Sequence, residues 1–260
     1  MADKIQADLA KLDEEQVKML KELCIQVNEQ DEPIGPRSKV DLHVWENIIS
    51  GEKLLHRAFS VFLINKENKL LLQQRAGSKI TFPDYWANTC CSHPWHTEDE
   101  MERTNDLGVK RAAIRKLKQE LGITNDQVPI DDFEFVTRIH YSAPCDDGKW
   151  GEHEIDHVLI LRPKNDVIVK PNPNEVQAIK WVSADELQTM FNNKNKNNSV
   201  NINNNEKKKK NETNEGDNVS AIKIAPWFEL ISTTFLIPKW WNNLDNITEM
   251  RDDEIHKLEL

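Results

Sequence analysis

Near the start of the chain, Leu9, Leu12, Val17, Leu20, Leu23 and Val27 recur at spacings close to three and four among charged neighbours. That pattern predicts an amphipathic helix over residues 6–27, within an N-terminal helical extension of residues 1–30. Two prolines and a glycine between Asp31 and Arg37 turn the chain before it extends towards His43. Residues 54–64 and 69–74 are apolar and β-rich with polar residues between them, which predicts a hairpin. The stretch 78–96 is rich in aromatic residues, Pro and Cys but has no sustained period, so it reads as a long ordered loop. A helix is predicted from Leu107, Ala112, Ile114, Leu117 and Leu121, stopping at Gly122. Residues 132–141, 154–162 and 176–182 have the pattern and length of strands, and Ser183-Ala184-Asp185-Glu186 reads as the N-cap of a short helix. The alternation of the two periods predicts a mixed α/β domain, 31–255, with no internal repeat.

Between residues 191 and 219 the composition shifts to Asn, Lys and Glu, including Lys207 to Lys210, which predicts a disordered insertion. Residues 222–244 are again apolar and helix-like, with Pro226-Trp227-Phe228 and Trp240-Trp241. A formal charge of -10 and a pI near 5.4 leave no cationic excess for a nucleic-acid backbone. Any phosphate must be met by local cations. The charged N-terminus lacks the apolar run of a secretory signal, and no stretch is long enough to span a membrane. The C-terminal Lys-Leu-Glu-Leu matches an ER-retention tail only superficially. A cytoplasmic protein is expected, and its four cysteines are expected to be reduced thiols.

Two clusters carry candidate chemistry. Asn88-Thr89-Cys90-Cys91-Ser92-His93-Pro94 places a thiol two residues from an imidazole, although alone it is equally a buried cysteine beside an ordinary histidine. In Glu152-His153-Glu154, period-two alternation sends both carboxylates to one face of a strand. If that face points inward, a divalent cation is the simplest compensation for two buried charges. His43, His56 and His93 could complete such a site with a first-row divalent metal. Lys39, Arg75 and Lys79 are cations that could hold a diphosphate.

The segments Leu55-His56-Arg57-Ala58-Phe59-Ser60, Thr89-Cys90-Cys91-Ser92-His93-Pro94, Trp150-Gly151-Glu152-His153-Glu154 and Pro226-Trp227-Phe228 together resemble the type I isopentenyl-diphosphate isomerases over about residues 30–255. The resemblance implies a Nudix-like α/β/α sandwich with a mixed sheet, and isomerisation of isopentenyl to dimethylallyl diphosphate in isoprenoid biosynthesis. It further implies that His43, His56, His93, Glu152 and Glu154 hold a tight divalent ion, Zn2+, Mn2+ or Mg2+. A Mg2+ bridging the diphosphate would touch Glu120, while Lys39, Arg75, Lys79 and Ser92 would contact the substrate. The expected assembly is a monomer or weak dimer.

The helical segment of the Nudix pattern falls at residues 108–123, where Lys116 and Gln119 replace two acids that hydrolases of that class use. That departure argues against a diphosphohydrolase, which nucleotide turnover would reveal. A metal-stabilised binding module is a second alternative, which an activity test would separate. Moving a double bond requires an acid and a base across a flat substrate, for which Cys91 and Glu154 are the candidates. The sequence does not fix which is which; Glu154, assisted by Tyr141, is taken as the acid side and Cys91 as the base. Trp227 is the candidate π face for a carbocation-like intermediate in a closed apolar pocket.

Overall fold

The segment His56–Leu63 is buried at every position, as expected of a strand covered on both faces. It lies at the centre of a computed structural model that describes residues 13–50, 53–194 and 222–259. In chain order the first elements are α1 (Glu14–Met19), β1 (Leu23–Val27), β2 (Pro33–Ser38), α2 (Lys39–His43), α3 (Trp45–Ile49) and β3 (His56–Leu63). They are followed by β4 (Leu70–Arg75), β5 (Trp86–Ala87), β6 (Cys90–Ser92), α4 (Glu98–Met101), α5 (Leu107–Leu121), β7 (Phe133–Pro144), β8 (Gly151–Leu161) and β9 (Val176–Val182). Residues 184–194 are helical (α6), and α7 (Pro226–Ile231) runs into a π-helical stretch, Ser232–Trp240, and a 3-10 stretch, Trp241–Met250, before β10 (Ile255–Lys257).

The main sheet has the order β10-β7-β8-β3-β1-β2, with β6 also paired to β3. It is mixed: β3 runs parallel to β8, and β10 parallel to β7, while the other pairings are antiparallel. One face is covered by α5 through Val109, Ala112, Ala113, Leu117 and Leu121. Each of the larger of these side chains contributes about 2 kcal/mol by leaving water. The other face meets the C-terminal helices through Phe62, Val158, Ile160, Phe228, Ile231 and Leu236. A small antiparallel sheet, β5-β4-β9, completes the mixed α/β architecture predicted from the alternating periods.

Several local expectations are corrected. The helix expected over 6–27 is confined, among the described residues, to Glu14–Met19, and Leu23–Val27 is a strand paired with Pro33–Ser38. Pairing wins there because Ile25 and Val27 become fully buried sheet residues, a tertiary gain that local helix period does not record. The N-terminal segment therefore adds strands to the sheet. The expected hairpin over 54–74 has its turn, with Asn65 N donating to Lys69 O at 2.9 Å, but only Ile64 and Leu70 bridge across it. Beyond that bridge β3 and β4 enter different sheets. The loop expected at 78–96 contains β5 and β6, and the stretch before His43 ends in α2 rather than remaining extended.

The helix at 107–121 ends as predicted, at Gly122 with φ +64°, a conformation that favours glycine. Ser183 and Glu186 cap α6 reciprocally, Glu186 N donating to Ser183 Oγ and Ser183 N to Glu186 Oε2. The insertion expected at 191–219 lies outside the described residues from 195 onward. No helix among the described residues is long and apolar enough to cross a membrane.

Candidate active site

The site begins with strand alternation. Along β8, Glu152, Glu154 and Asp156 are buried, whereas the half-buried His153 alternates to the other side and meets His140, Nε2 to Nε2 at 2.9 Å. The sheet register sets His56 on β3 and Tyr141 on β7 directly beside Glu154, forming one row across three strands. His43 ends α2 and His93 follows β6. Their rings meet that of His56 with all three pairs of centroids 4.8 Å apart.

One ligand atom from each of His43, His56, His93 and Glu154 lies within 4.8 Å of the others, and all four residues are buried. Glu154 Oε1 is 2.7 Å from His93 Nε2 and 3.3 Å from His56 Nε2. His43 Nδ1 is 2.8 Å from Lys39 O; a carbonyl only accepts, so this nitrogen carries the hydrogen and Nε2 keeps its lone pair. His43 Nε2 and both ring nitrogens of His56 are buried without a hydrogen-bond partner. Such orphaned groups cost about 1–3 kcal/mol each, and one divalent ion would satisfy His43 Nε2 and one nitrogen of His56 together.

Protonation fits the same reading. Burial and the neighbouring imidazoles keep His43 far below the usual histidine value, and burial takes His93 down to about 3. Burial alone would raise Glu154, but the close imidazoles of His56 and His93 hold it well below the usual carboxylate range. Neutral imidazoles beside an ionised carboxylate are the forms that bind a metal.

Glu152, expected among the ligands, stands next to this group of four rather than in it. It is linked through Tyr141, whose hydroxyl lies 2.9 Å from Glu152 Oε2 and 2.7 Å from Glu154 Oε2. One phenolic hydrogen cannot serve both oxygens. Burial and the neighbouring Glu154 charge push Glu152 up to about 8, while burial and both glutamates raise Tyr141 well above its usual value. The consistent arrangement has a neutral Glu152 donating to Tyr141, which donates to ionised Glu154.

In β6, Cys90 turns into the core beside α5 and Cys91 faces the cavity. Burial raises the Cys91 thiol well above its ordinary value, opposed by Arg75. The resting proton is thus on Cys91 and off Glu154. Both groups share a cavity of about 40 Å³ with Lys39, His43, Arg75, Lys79, Ser92, His93, Glu120 and Glu152.

Arg75 and Lys79 are already engaged. Arg75 donates to the carbonyls of Thr81, at 2.7 Å, and Phe82, at 3.1 Å, and so ties down a turn in which Phe82 takes φ +48°. Lys79 pairs with buried Glu175, whose carboxyl is held at about 2 by Lys79 and Lys116 against the raising effect of burial. Glu120 faces Lys116 Nζ at 3.1 Å and accepts from Gln73 Nε2 at 3.1 Å. Trp227 is packed behind the cavity wall, with Nε1 donating to Asn88 Oδ1 at 3.0 Å and Phe82 edge-on at 5.3 Å.

Sequence reasoning missed Gln16, Met19 and Leu20 of the N-terminal segment, which also line the cavity, along with Ile80, Thr81 and the counter-ion Glu175. The polar Gln16 among the apolar positions of a short helix was the one available signal; Glu175 had none. His140, His153 and His157 lie outside the cluster, His157 bonding Asp31 at 2.9 Å.

A thiol, a carboxylate pair and a cation-lined wall around a small cavity thus sit on a mixed α/β sandwich, and the family model described as "NUDIX domain" matches residues 54–201. Three relatives are similar over almost the whole chain. The "Isopentenyl-diphosphate delta-isomerase" of Candida albicans is 46% identical, covering 95% of this chain and 82% of its own length. The "Isopentenyl-diphosphate Delta-isomerase 1" of Mus musculus is 46% identical, covering 95% of this chain and 96% of its own. The "Isopentenyl-diphosphate Delta-isomerase" of Dictyostelium discoideum is 48% identical, covering 89% of this chain and 87% of its own. The chain belongs to the isopentenyl-diphosphate delta-isomerase family of NUDIX-domain proteins.

Proposed function

We propose that the cavity performs the reaction of that family by transferring protons at two neighbouring carbons of a five-carbon diphosphate. The chain is an isomerase that interconverts isopentenyl and dimethylallyl diphosphate in isoprenoid biosynthesis. The observation that carries the mechanism is the placing of Cys91, Glu152 and Glu154 on one cavity, with Tyr141 linking the two carboxyls behind it.

One proton is shared between Cys91 and Glu154. Protonating an unactivated alkene demands a strong acid, and a carboxyl held below its usual value is the strongest acid in the cavity when it bears the proton. In the reactive arrangement Glu152 has passed its proton through Tyr141 to Glu154 and has taken up the Cys91 proton, which leaves a thiolate whose charge Arg75 offsets. Glu154 protonates the terminal alkene carbon; the electron pair of the π bond forms the new C–H bond and leaves a tertiary cation. Cys91 removes a proton from the carbon nearer the diphosphate, and those C–H electrons become the new double bond. The step leaves Cys91 as the thiol and Glu154 as the carboxylate, which are their resting forms.

His43, His56, His93 and Glu154 would hold a divalent metal, and Glu152 stands beside them. When bound, that metal would polarise the Glu154 carboxyl and fix its orientation. Lys39, Arg75, Lys79 and Ser92 would bind the diphosphate, with Glu120 meeting its accompanying Mg2+. Trp227 would support Arg75, 5.7 Å above its ring, and Tyr141, 6.4 Å away, so that the apolar wall excludes water from the cation. A cytoplasmic monomer or weak dimer is part of this proposal.

Incubation of isopentenyl diphosphate with the protein and Mg2+ in heavy water tests the reading. Conversion with deuterium uptake is expected for the native chain and is lost in Cys91→Ala and Glu154→Gln. Undiminished turnover in either variant removes that residue from the chemistry.

A further inference from the structure

Of the four clustered ligands, His56 and Glu154 are fixed on central strands and His43 ends a helix. His93 instead follows the last residue of β6, and the next sheet contact is the single bridge between Trp95 and Cys24. Something other than the backbone ladder must place it.

Arg115, from the middle of α5, reaches that segment. Its guanidinium lies 3.7 Å from the centre of the Trp95 ring, and Nη2 donates to His93 O at 3.2 Å. The same guanidinium makes a two-bond fork with Glu100, Nε to Oε1 at 2.6 Å and Nη2 to Oε2 at 2.8 Å. Glu100 closes the loop by accepting from Trp95 N at 2.6 Å, and its side chain is only 8% exposed. Carbonyl, ring and amide of residues 93–95 are therefore gripped by one planar cation and its counter-ion. A lysine could keep the charge but could not supply the fork and the stacked plane at once.

We propose that Arg115 and Glu100 are a positioning pair that sets His93 for metal binding; this rests on the reading of the histidine and glutamate cluster as a divalent metal site. Neither residue touches substrate or the ligand atoms. They act through the backbone of His93, and the loss of such an outer partner typically weakens metal affinity about 10- to 100-fold.

The test uses the full chain, Zn2+ as the probe and competition with a chromogenic chelator. Arg115→Lys and Glu100→Gln are each expected to weaken Zn2+ binding about 10- to 100-fold. Their metal-free near-UV circular dichroism and melting midpoints are expected to stay close to native. In a His93→Ala background the Arg115→Lys change should have no further effect on affinity, because the group it positions is gone. Affinity within twofold of native in the folded variants overturns the proposal. An equal loss with and without His93 also overturns it, as does collapse of the native spectrum in both variants, which marks a purely structural pair. If the native chain itself fails to bind Zn2+, the metal-site reading falls instead.

Discussion

Replacing Tyr141 with phenylalanine removes one oxygen from the centre of the proton path while leaving the ring that packs near Trp227. Tyr141 is 2% exposed, so no water is at hand to substitute for the hydroxyl. The bond at risk is the 2.7 Å contact with the Glu154 carboxylate, a hydrogen bond to a charged group worth about 1.5–3 kcal/mol. If that interaction is realised in the transition state, kcat falls about 10- to 150-fold at roughly 1.4 kcal/mol per decade. The hydroxyl points at carboxylates and not at the diphosphate-binding cations, so KM should stay within about twofold, our bound for an interaction absent from the bound ground state. The assay is initial rate of isomerisation against substrate concentration, with deuterium uptake followed in parallel. A kcat within twofold of native, or an effect confined to KM, refutes the relay.

Asp31 is buried beside Arg57 and His157, and although burial alone raises its carboxyl, those neighbours hold it at about 2 instead of 3.8. A depressed carboxylate stabilises the fold above its unfolded value and loses that contribution as pH falls towards the folded one. Asp31→Asn should therefore cost about 2 kcal/mol at neutral pH and almost nothing near pH 2, by denaturant unfolding; a pH-independent difference would contradict this. Stripping a bound metal with a chelator should lower the melting midpoint by about 5–10 °C, from about 2.7 kcal/mol lost at a hundredfold excess of ligand over Kd. An unchanged midpoint would mean that the cluster holds no ion. A Cβ added at Gly151 would lie 2.3 Å from the Trp45 ring and 2.7 Å from Ala143 O. Gly151→Ala should accordingly displace the start of β8, costing about 1–3 kcal/mol and disturbing Glu152, and native stability with native kcat would refute the contact.

What could be read in advance follows from how locally each feature is determined. The shared face of Glu152 and Glu154 was legible because side-chain alternation is a property of any strand, and the stop at Gly122 because few other residues accept its φ. The type of element at Leu23–Val27 was not, since its apolar spacing satisfies a helix and only the distant partner strand decides the outcome. His43 was visible as a residue but not as the end of a helix, because α2 has only five residues and is anchored by Ser38 Oγ accepting from Asp41 N. Glu175 and Arg115 act through partners 96 and 22 residues away, respectively, and no short window of sequence contains both ends. The engaged state of Lys79 and Arg75 was hidden for the same reason.

The row formed by His56, Glu154 and Tyr141 makes the sheet a ruler. Strand separation is fixed near 4.8 Å by backbone hydrogen bonding, so the interval between imidazole, carboxylate and phenol cannot drift without breaking the ladder itself. Adjustment is left to the two ligands carried outside that ladder, His43 and His93. Amide hydrogen exchange should therefore record metal removal as faster exchange in 39–43 and 92–96, while 56–63 and 151–161 keep their native protection.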